Sequence, residues 1–330
     1  MKQKKNIQYK EIEFIHEKYK ISNLNFLSQN SYLLYKNDIN YIITLYIKNK
    51  NNKDNNTIIF SHSNQSTLGE EYSLLIDLSL MLKCDIISFD YSGYGLSNGI
   101  PNDNEIVTDF KSVIYFSKDI LNISMNNVIL MSESLGNVPL MYFCSNYNVK
   151  NIKGLILISP ISNYKFNFNK FQNINFFKES ISQINFPIFI IHGKKDEIIP
   201  IYHSIELSKN VINLWRWFPK KASHYNIITD FRCKFYQKIK FFIKIRCNNI
   251  IDSMNQINPS KFSLSNSEIN NKIKYYNYGI QREDALIEDD ISNNDNIGIN
   301  DKMDNQHSKY TIMKDNNTFN YDISEMSYNY

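Results

Sequence analysis

One stretch, Asn127 to Pro139 (N-V-I-L-M-S-E-S-L-G-N-V-P), narrows the folds open to this chain more than any other. An apolar run, Val128 to Met131, passes without a spacer into Ser132-Glu133-Ser134-Leu135-Gly136 and then into helix-compatible residues. That is the sequence form of a strand turning sharply into a helix, with Ser134 at the tip. A serine hydroxyl is a poor nucleophile until it is held clear of the backbone, beside a base and above an oxyanion site. The small residues Ser132 and Gly136 suit the tight crossing on either side of it. The pattern is G-x-S-x-G with a serine in first place, and it requires a base, a carboxylate and an oxyanion site from elsewhere in the chain.

At 330 residues the chain can hold one large α/β domain with an appendage, or two domains. Charge divides it unevenly. Residues 1–250 carry 30 Lys+Arg against 20 Asp+Glu, net +10, while the remainder carries 7 against 13, net −6. From Ile251 the chain is dominated by Asn, Ser, Asp and Tyr, with an acidic stretch from Glu283 to Asp290. Such a composition buries too little apolar surface to offset its ordering entropy, so residues 251–330 are expected to form a disordered tail. Residues 1–30 are taken as an N-terminal extension and residues 31–250 as the folded domain.

Several function classes lose support at this stage. Cys84, Cys144, Cys233 and Cys247 show neither C-x-x-C nor metal spacing, and the six histidines form no H-E-x-x-H or H-x-x-x-H pattern. No metal site and no cofactor is therefore expected, and the thiols read as reduced, which points to a cytoplasmic protein. The basic start Met1 to Lys5 lacks a following apolar core, and no run approaches the roughly 18 apolar residues of a membrane-spanning helix. The basic residues are dispersed, so nucleic acid is not an expected partner.

In order, the pattern predicts strands at Ser31–Tyr35, Ile39–Ile47, Thr57–Phe60 and Cys84–Phe89, with a helix over Leu68–Lys83 between the last two. A helix from about Asn104 to Leu121 precedes the elbow strand, and a helix over Leu135–Asn146 follows it. Strands Ile152–Ser159, Pro187–His192 and Asn213–Phe218, helix Pro200–Lys209 and a last helix from about His224 to Arg246 complete the domain. Short apolar strands alternating with helices predict an α/β fold: a mostly parallel sheet covered on both faces.

In such a sheet, function collects at the carboxyl ends of strands. Four polar groups fall there: His62-Ser63-Asn64, Ser134, Asp196 and His224. Between Ser134 and His224 the carboxylates are Glu179, Asp196, Glu197 and Glu206, and Asp196 alone lies just past a strand. The chain order Ser, Asp, His fits a nucleophile, an orienting acid and a general base. Backbone N–H groups of Leu135 and Asn64 are the oxyanion-hole candidates, one following the nucleophile and one on the loop after an early strand. Asp90 and the turn Gly93-Tyr94-Gly95 read as structural.

Phe60-Ser61-His62-Ser63-Asn64 with Leu68-Gly69, the segment Phe89 to Ser97 (F-D-Y-S-G-Y-G-L-S), Ser134 to Pro139, Ile191-His192-Gly193 with Asp196, and His224 together resemble the α/β-hydrolase superfamily. Within it the likeness is to the alpha/beta hydrolase domain-containing protein 17 group and its relatives, the BEM46-like proteins and serine aminopeptidase S33-type domains. It runs from roughly Ile39 to Lys244. Three features depart from that pattern: Ser63 where the group has glycine, Ser132 at the start of the elbow, and no counterpart to the N-terminal cysteine cluster for lipid anchoring that the group's vertebrate members carry. Members of the group are membrane-associated serine hydrolases that remove palmitate from protein cysteines. The resemblance thus implies an α/β-hydrolase fold and a palmitoyl-protein thioesterase acting on an acylated protein. A lysophospholipase or monoacylglycerol lipase acting on a lipid, and a catalytically silent binding module, are the alternatives.

Residues 161–186 stand where this superfamily inserts its cap. The segment is short and rich in phenylalanine, and Phe166, Phe168, Phe171, Phe176 and Phe177 are expected either to line an open cleft for an acyl chain or to pack the cap on the body. The last helix sets Lys234, Lys238, Lys240 and Lys244 mostly opposite Phe231, Phe235, Ile239 and Phe242. That pattern fits a solvated face, or a surface drawn to the cytosolic side of an anionic membrane.

Overall fold

The computed structural model describes residues 8–12, 27–147, 151–164, 181, 184–209, 211 and 213–248. All of them lie in the first of the chain's two units, Met1–Asn258; the second, Pro259–Tyr330, falls outside the described residues. Nine strands form one sheet: β1 (Gln8–Ile12), β2 (Leu27–Tyr35), β3 (Tyr41–Asn49), β4 (Thr57–Ser61), β5 (Asp85–Phe89), β6 (Val128–Glu133), β7 (Gly154–Ile158), β8 (Ile188–Ile191) and β9 (Leu214–Trp217). Their order is β1-β2-β3-β5-β4-β6-β7-β8-β9. The first three run antiparallel up to β5, and every pairing from β5 to β9 is parallel.

Among the described residues five α-helices accompany the strands: α1 (Leu68–Leu82), α2 (Asp103–Asp119), α3 (Asn137–Asn146), α4 (Tyr202–Ser208) and α5 (Arg232–Phe242). Alternate strand residues sort between the two faces of the sheet, as a period of two requires. Ile59, Ile87, Val128, Leu130, Leu155, Leu157, Ile188 and Ile190 share a core with Phe110 and Phe116 of α2 and Leu140 and Phe143 of α3. Their neighbours Ile58, Phe60, Ile86, Ile129, Met131 and Phe189 are equally buried but lie outside that core. On the other face, α1 packs with α5, and Phe242 of α5 stacks 5.3 Å from Phe189 and 5.9 Å from Trp215. Fully burying such an aromatic contributes about 2–3 kcal/mol. Phe235, Tyr236, Ile239 and Phe242 of α5 are buried while Lys240 and Lys244 are exposed, so the lysine face is the outer side of a helix packed on the body.

The strands fall where the alternation placed them, with ends shifted by a few residues. The sheet begins earlier than the sequence implied, since β1 lies within residues 1–30 and pairs with a β2 that starts at Leu27. The last helix begins later. His224 sits eight residues before α5, in a turn where Ser223 N–H donates to Asn226 Oδ1 at 2.7 Å and Asp230 N–H to Asn226 O at 3.0 Å. The Asp230–Asn226 bond is a helical-type turn that does not run on into a regular helix before Arg232, so His224 lies on a loop of bends and turns. The cap phenylalanines, Phe166, Phe168, Phe171, Phe176 and Phe177, lie outside the described residues.

Candidate active site

Every parallel strand sends its carboxyl end to the same edge of the sheet, and the polar loops gather there. Strand β6 ends at Glu133 and the chain reverses through a 3-10 turn, Ser134–Gly136, into α3. Ser134 has φ +50°, a left-handed conformation that costs an L-residue about 1–3 kcal/mol and persists only where its surroundings enforce it. Gly136 shows what does so. A Cβ there would stand 2.3 Å from Ser61 O and 2.8 Å from His62 O, so the elbow presses directly on the end of β4.

The His62-Ser63-Asn64 loop is anchored from a neighbouring turn. Tyr91 Oη donates to His62 O at 3.0 Å and Tyr94 Oη to Asn64 Oδ1 at 2.5 Å. Asp90 Oδ1 accepts from Leu68 N–H at 2.7 Å, fastening the start of α1, which bears out the structural reading of this turn. Its carboxyl is pushed up to about 6 by burial, against hydrogen bonds from the Leu68 and Leu96 N–H groups. His62 is wholly buried and donates from Nδ1 to Ser63 O at 2.8 Å; burial lowers its imidazole to about 4, so the ring is neutral. Ser63 lies outside the left-handed region, so the loop does not require the freedom of a glycine at this position.

Asp196 and His224 come together from different loops. His224 Nδ1 lies 2.8 Å from Asp196 Oδ2, and both residues are buried. A Cβ on Gly193 would meet Ala222 O at 2.4 Å, so the acid loop and the base loop touch backbone to backbone just ahead of both side chains. Asp196 Oδ2 also accepts from Ser159 Oγ at 2.9 Å and faces His192 Nε2 at 3.2 Å, while Oδ1 accepts from Ile198 N–H at 3.0 Å and Ile199 N–H at 2.8 Å. Burial raises this carboxyl, but the His192 and His224 hydrogen bonds outweigh it and hold Asp196 well below the ordinary carboxylate range. His192 is spoken for: its one N–H, at Nε2, is shared between Ile199 O at 2.7 Å and Asp196 Oδ2 at 3.2 Å, and Nδ1 accepts from Ser204 Oγ at 2.6 Å. His224 is held through Nδ1, so Nε2 is the ring nitrogen not engaged with Asp196.

The register connects this pair to Ser134. Glu133 on β6 pairs with Ile158 on β7, so Ser134 and Ser159 follow at adjacent strand ends, and Ser159 is the residue that contacts Asp196. Ser132, the departure at the elbow, donates its hydroxyl to Asn137 Oδ1 at 2.8 Å and is buried without strain. The sequence assigns no role of their own to Ser159 and Asn137, because their contacts exist only between the folded strands.

Glu133, between Ser132 and Ser134, was also passed over. Burial, then the charges of Glu71 and Asp196, push its carboxyl up to about 8. A raised carboxyl pKa means that the folded state holds a proton the unfolded state has released. Stability therefore falls as pH rises from the unfolded value near 4.3 to about 8, and is flat beyond. Glu133→Gln removes that slope. We expect thermal melts to show the variant more stable by about 1–2 kcal/mol at pH 8–9 and unchanged at pH 4, for a half-buried group screened by solvent. Equal melting curves at both pH values would count against a protonated Glu133.

No protein-family model matches the chain. It is 29% identical over 198 residues to alpha/beta hydrolase domain-containing protein 17C of Xenopus tropicalis and of Homo sapiens, a match covering 57% of this chain and 61% and 57% of those proteins. To protein 17B of Homo sapiens it is 32% identical over 158 residues, 46% of this chain and 54% of that protein. The chain thus spans about three fifths of the length of the curated relatives it matches. Among solved structures, an esterase of Pyrococcus furiosus superposes with a TM-score of 0.55 at 20% identity, over 69% of this chain and 96% of that one.

Proposed function

We propose, from the α/β-hydrolase fold of this chain and its similarity to the domain-containing protein 17 group, that it is a serine hydrolase cleaving acyl esters or thioesters through an acyl-enzyme. The observation that carries this reading is the buried Asp196–His224 pair, 2.8 Å apart, at the same sheet edge as a serine held in a left-handed elbow. In the first step, Ser134 Oγ attacks the acyl carbonyl carbon as His224 Nε2 takes its proton. The tetrahedral oxyanion is met by N–H groups of Leu135 and of the loop at Asn64, and collapse expels the alcohol or thiol, which takes the proton back from His224. Water then enters by the reverse route and releases the acid. Asp196 keeps Nδ1–H pointed at itself and stabilises the imidazolium.

A palmitoyl group on a protein cysteine is the leading substrate, by the likeness to the protein 17 group; a lysophospholipid or monoacylglycerol is the second. Such substrates place the protein at the cytosolic face of a membrane. No helix among the described residues is long and apolar enough to cross one. Two of the grounds for a silent binding module weaken, since Ser63 needs no glycine conformation and the Ser132 hydroxyl is paired; the third, the Asn-rich tail, lies outside the described residues.

The test is labelling of the purified full chain by a fluorophosphonate, followed by hydrolysis of soluble acyl thioesters of increasing chain length. Labelling that requires Ser134 and His224, with kcat/KM rising toward long chains, is the expected result. An unlabelled, folded wild-type protein would overturn the enzyme reading, and a preference for short acyl groups would overturn the substrate.

A further inference from the structure

Behind the nucleophile lies a hydrogen-bonded layer that takes no part in the steps above. Asn137 is 1% exposed and its side chain is fully used: Nδ2 donates to Ser134 O at 2.8 Å and to Ile158 O at 2.9 Å, and Oδ1 accepts from Ser132 Oγ at 2.8 Å. The amide has one workable orientation. Turned over, it would set its oxygen against two carbonyl oxygens, Ser134 O and Ile158 O, and lose both donors to them. Through Nδ2, Asn137 ties the nucleophile's own carbonyl to the last residue of β7.

The next residue continues the connection. Ser159 has φ +45°, a second left-handed L-residue at the strand end beside Ser134, and its Oγ donates to Asp196 Oδ2 at 2.9 Å. That oxygen is the one His224 Nδ1 meets. The dipeptide Ile158-Ser159 therefore holds the nucleophile through a carbonyl and the acid through a hydroxyl. Two strained backbone positions, joined by buried and satisfied hydrogen bonds, are the arrangement in which local strain is kept for a purpose.

We propose that Asn137 and Ser159 are positioning residues that set the separation between Ser134 and the Asp196–His224 pair, with the Ser132 hydroxyl locking the amide of Asn137. The inference deepens the serine-hydrolase reading and rests on it. It also accounts for a serine where the elbow pattern has glycine: a glycine at 132 would leave the buried Oδ1 of Asn137 without its donor. Reaction rates depend steeply on such spacing, a misplacement of about 1 Å costing on the order of 100-fold.

The experiment compares Asn137→Ala, Asn137→Asp, Ser159→Ala, Ser159→Gly and Ser132→Gly in the full chain. It measures kcat and KM on a soluble p-nitrophenyl ester, the rate of fluorophosphonate labelling, and the melting temperature. Asn137→Ala is expected to lower kcat and the labelling rate by about 10- to 100-fold with KM within about twofold of wild type. Asn137→Asp keeps the shape but not the donors, so it should do no better. Ser159→Gly relieves the backbone yet lacks the hydroxyl, and should lose about tenfold, as Ser159→Ala does. Ser132→Gly should cost a few-fold, and adding it to Asn137→Ala should cost nothing more, because the two act as one unit.

Folded Asn137→Ala with wild-type kcat and labelling rate would overturn the proposal. So would a fully active Ser159→Gly, which shows that only the backbone of residue 159 matters and decides the case if Asn137→Ala fails to fold. An unlabelled wild type would instead remove the hydrolase reading, and this inference with it.

Discussion

Replacing Ser134 with alanine is expected to lower kcat for a soluble acyl ester by about 10⁶-fold, with the fold intact, because the elbow's geometry comes from its backbone and from Gly136 rather than from the hydroxyl. His224→Ala should cost about as much, and the double variant no more than either, since nucleophile and base act as one unit. Asp196→Asn should cost about 10⁴-fold. The carboxylate accepts from Ser159 Oγ, Ile198 N–H and Ile199 N–H besides meeting two imidazoles, and an amide nitrogen has nowhere to point without facing another donor. If the nitrogen takes the Oδ2 place, His224 loses its partner and can turn to the wrong tautomer; if it takes the Oδ1 place, the loop that presents the residue is opened. Rates for purified variants, with circular dichroism as the control for folding, decide it. A Ser134→Ala enzyme retaining more than about a hundredth of its rate would show that another residue is the nucleophile.

How much of this site the sequence disclosed depends on the range of the interaction that defines each part. The elbow is local: an apolar run meeting Ser-Glu-Ser-Leu-Gly fixes its own strand, turn and helix, and it was legible. Asp196 and His224 were legible for a different reason, since each follows a strand and their order along the chain admits few assignments. Their 2.8 Å approach was not, because it depends on a parallel pairing of β8 with β9 and on the contact of Gly193 with Ala222. Asn137 and Ser159 carry no local signal at all. Each is an ordinary polar residue until β6 and β7 bring Ser134 and Ile158 side by side. The helix drawn from about His224 begins only at Arg232: the periodicity of its apolar residues continues back through residues 224–231, but these form bends and turns, and the helical-type bond from Asp230 N–H to Asn226 O is not extended into a regular run. In β1, five residues with a single partner strand hold too short a pattern to stand out from a polar N-terminus.

The largest stability effect is expected away from the catalytic residues, at Asp109 of α2. Its side chain is wholly buried and accepts from Lys36 Nζ at 2.7 Å, from Ser92 N–H at 2.7 Å and from Ser92 Oγ at 3.0 Å. Lys36 is itself 8% exposed and is held by Glu105 and Ser92 Oγ as well. Asp109→Ala would leave a buried ammonium with a half-exposed partner and a backbone N–H with none, a loss of about 3–5 kcal/mol in denaturant unfolding. Replacing both charges, as Lys36→Met with Asp109→Leu, should recover much of that, because desolvation of the pair offsets most of its attraction. A cost below about 1 kcal/mol for the single variant would mean that the pair is solvated in solution. The effect reaches the active site by a continuous route. Ser92 belongs to the turn whose Tyr91 and Tyr94 hold the backbone of His62 and the side chain of Asn64. A loosened Ser92 therefore frees the His62-Ser63-Asn64 loop; if Asn64 N–H is the oxyanion donor proposed above, Asp109→Ala assayed well below its melting temperature should lose kcat about tenfold while KM stays near wild type, since a misplaced donor is missed in the transition state alone.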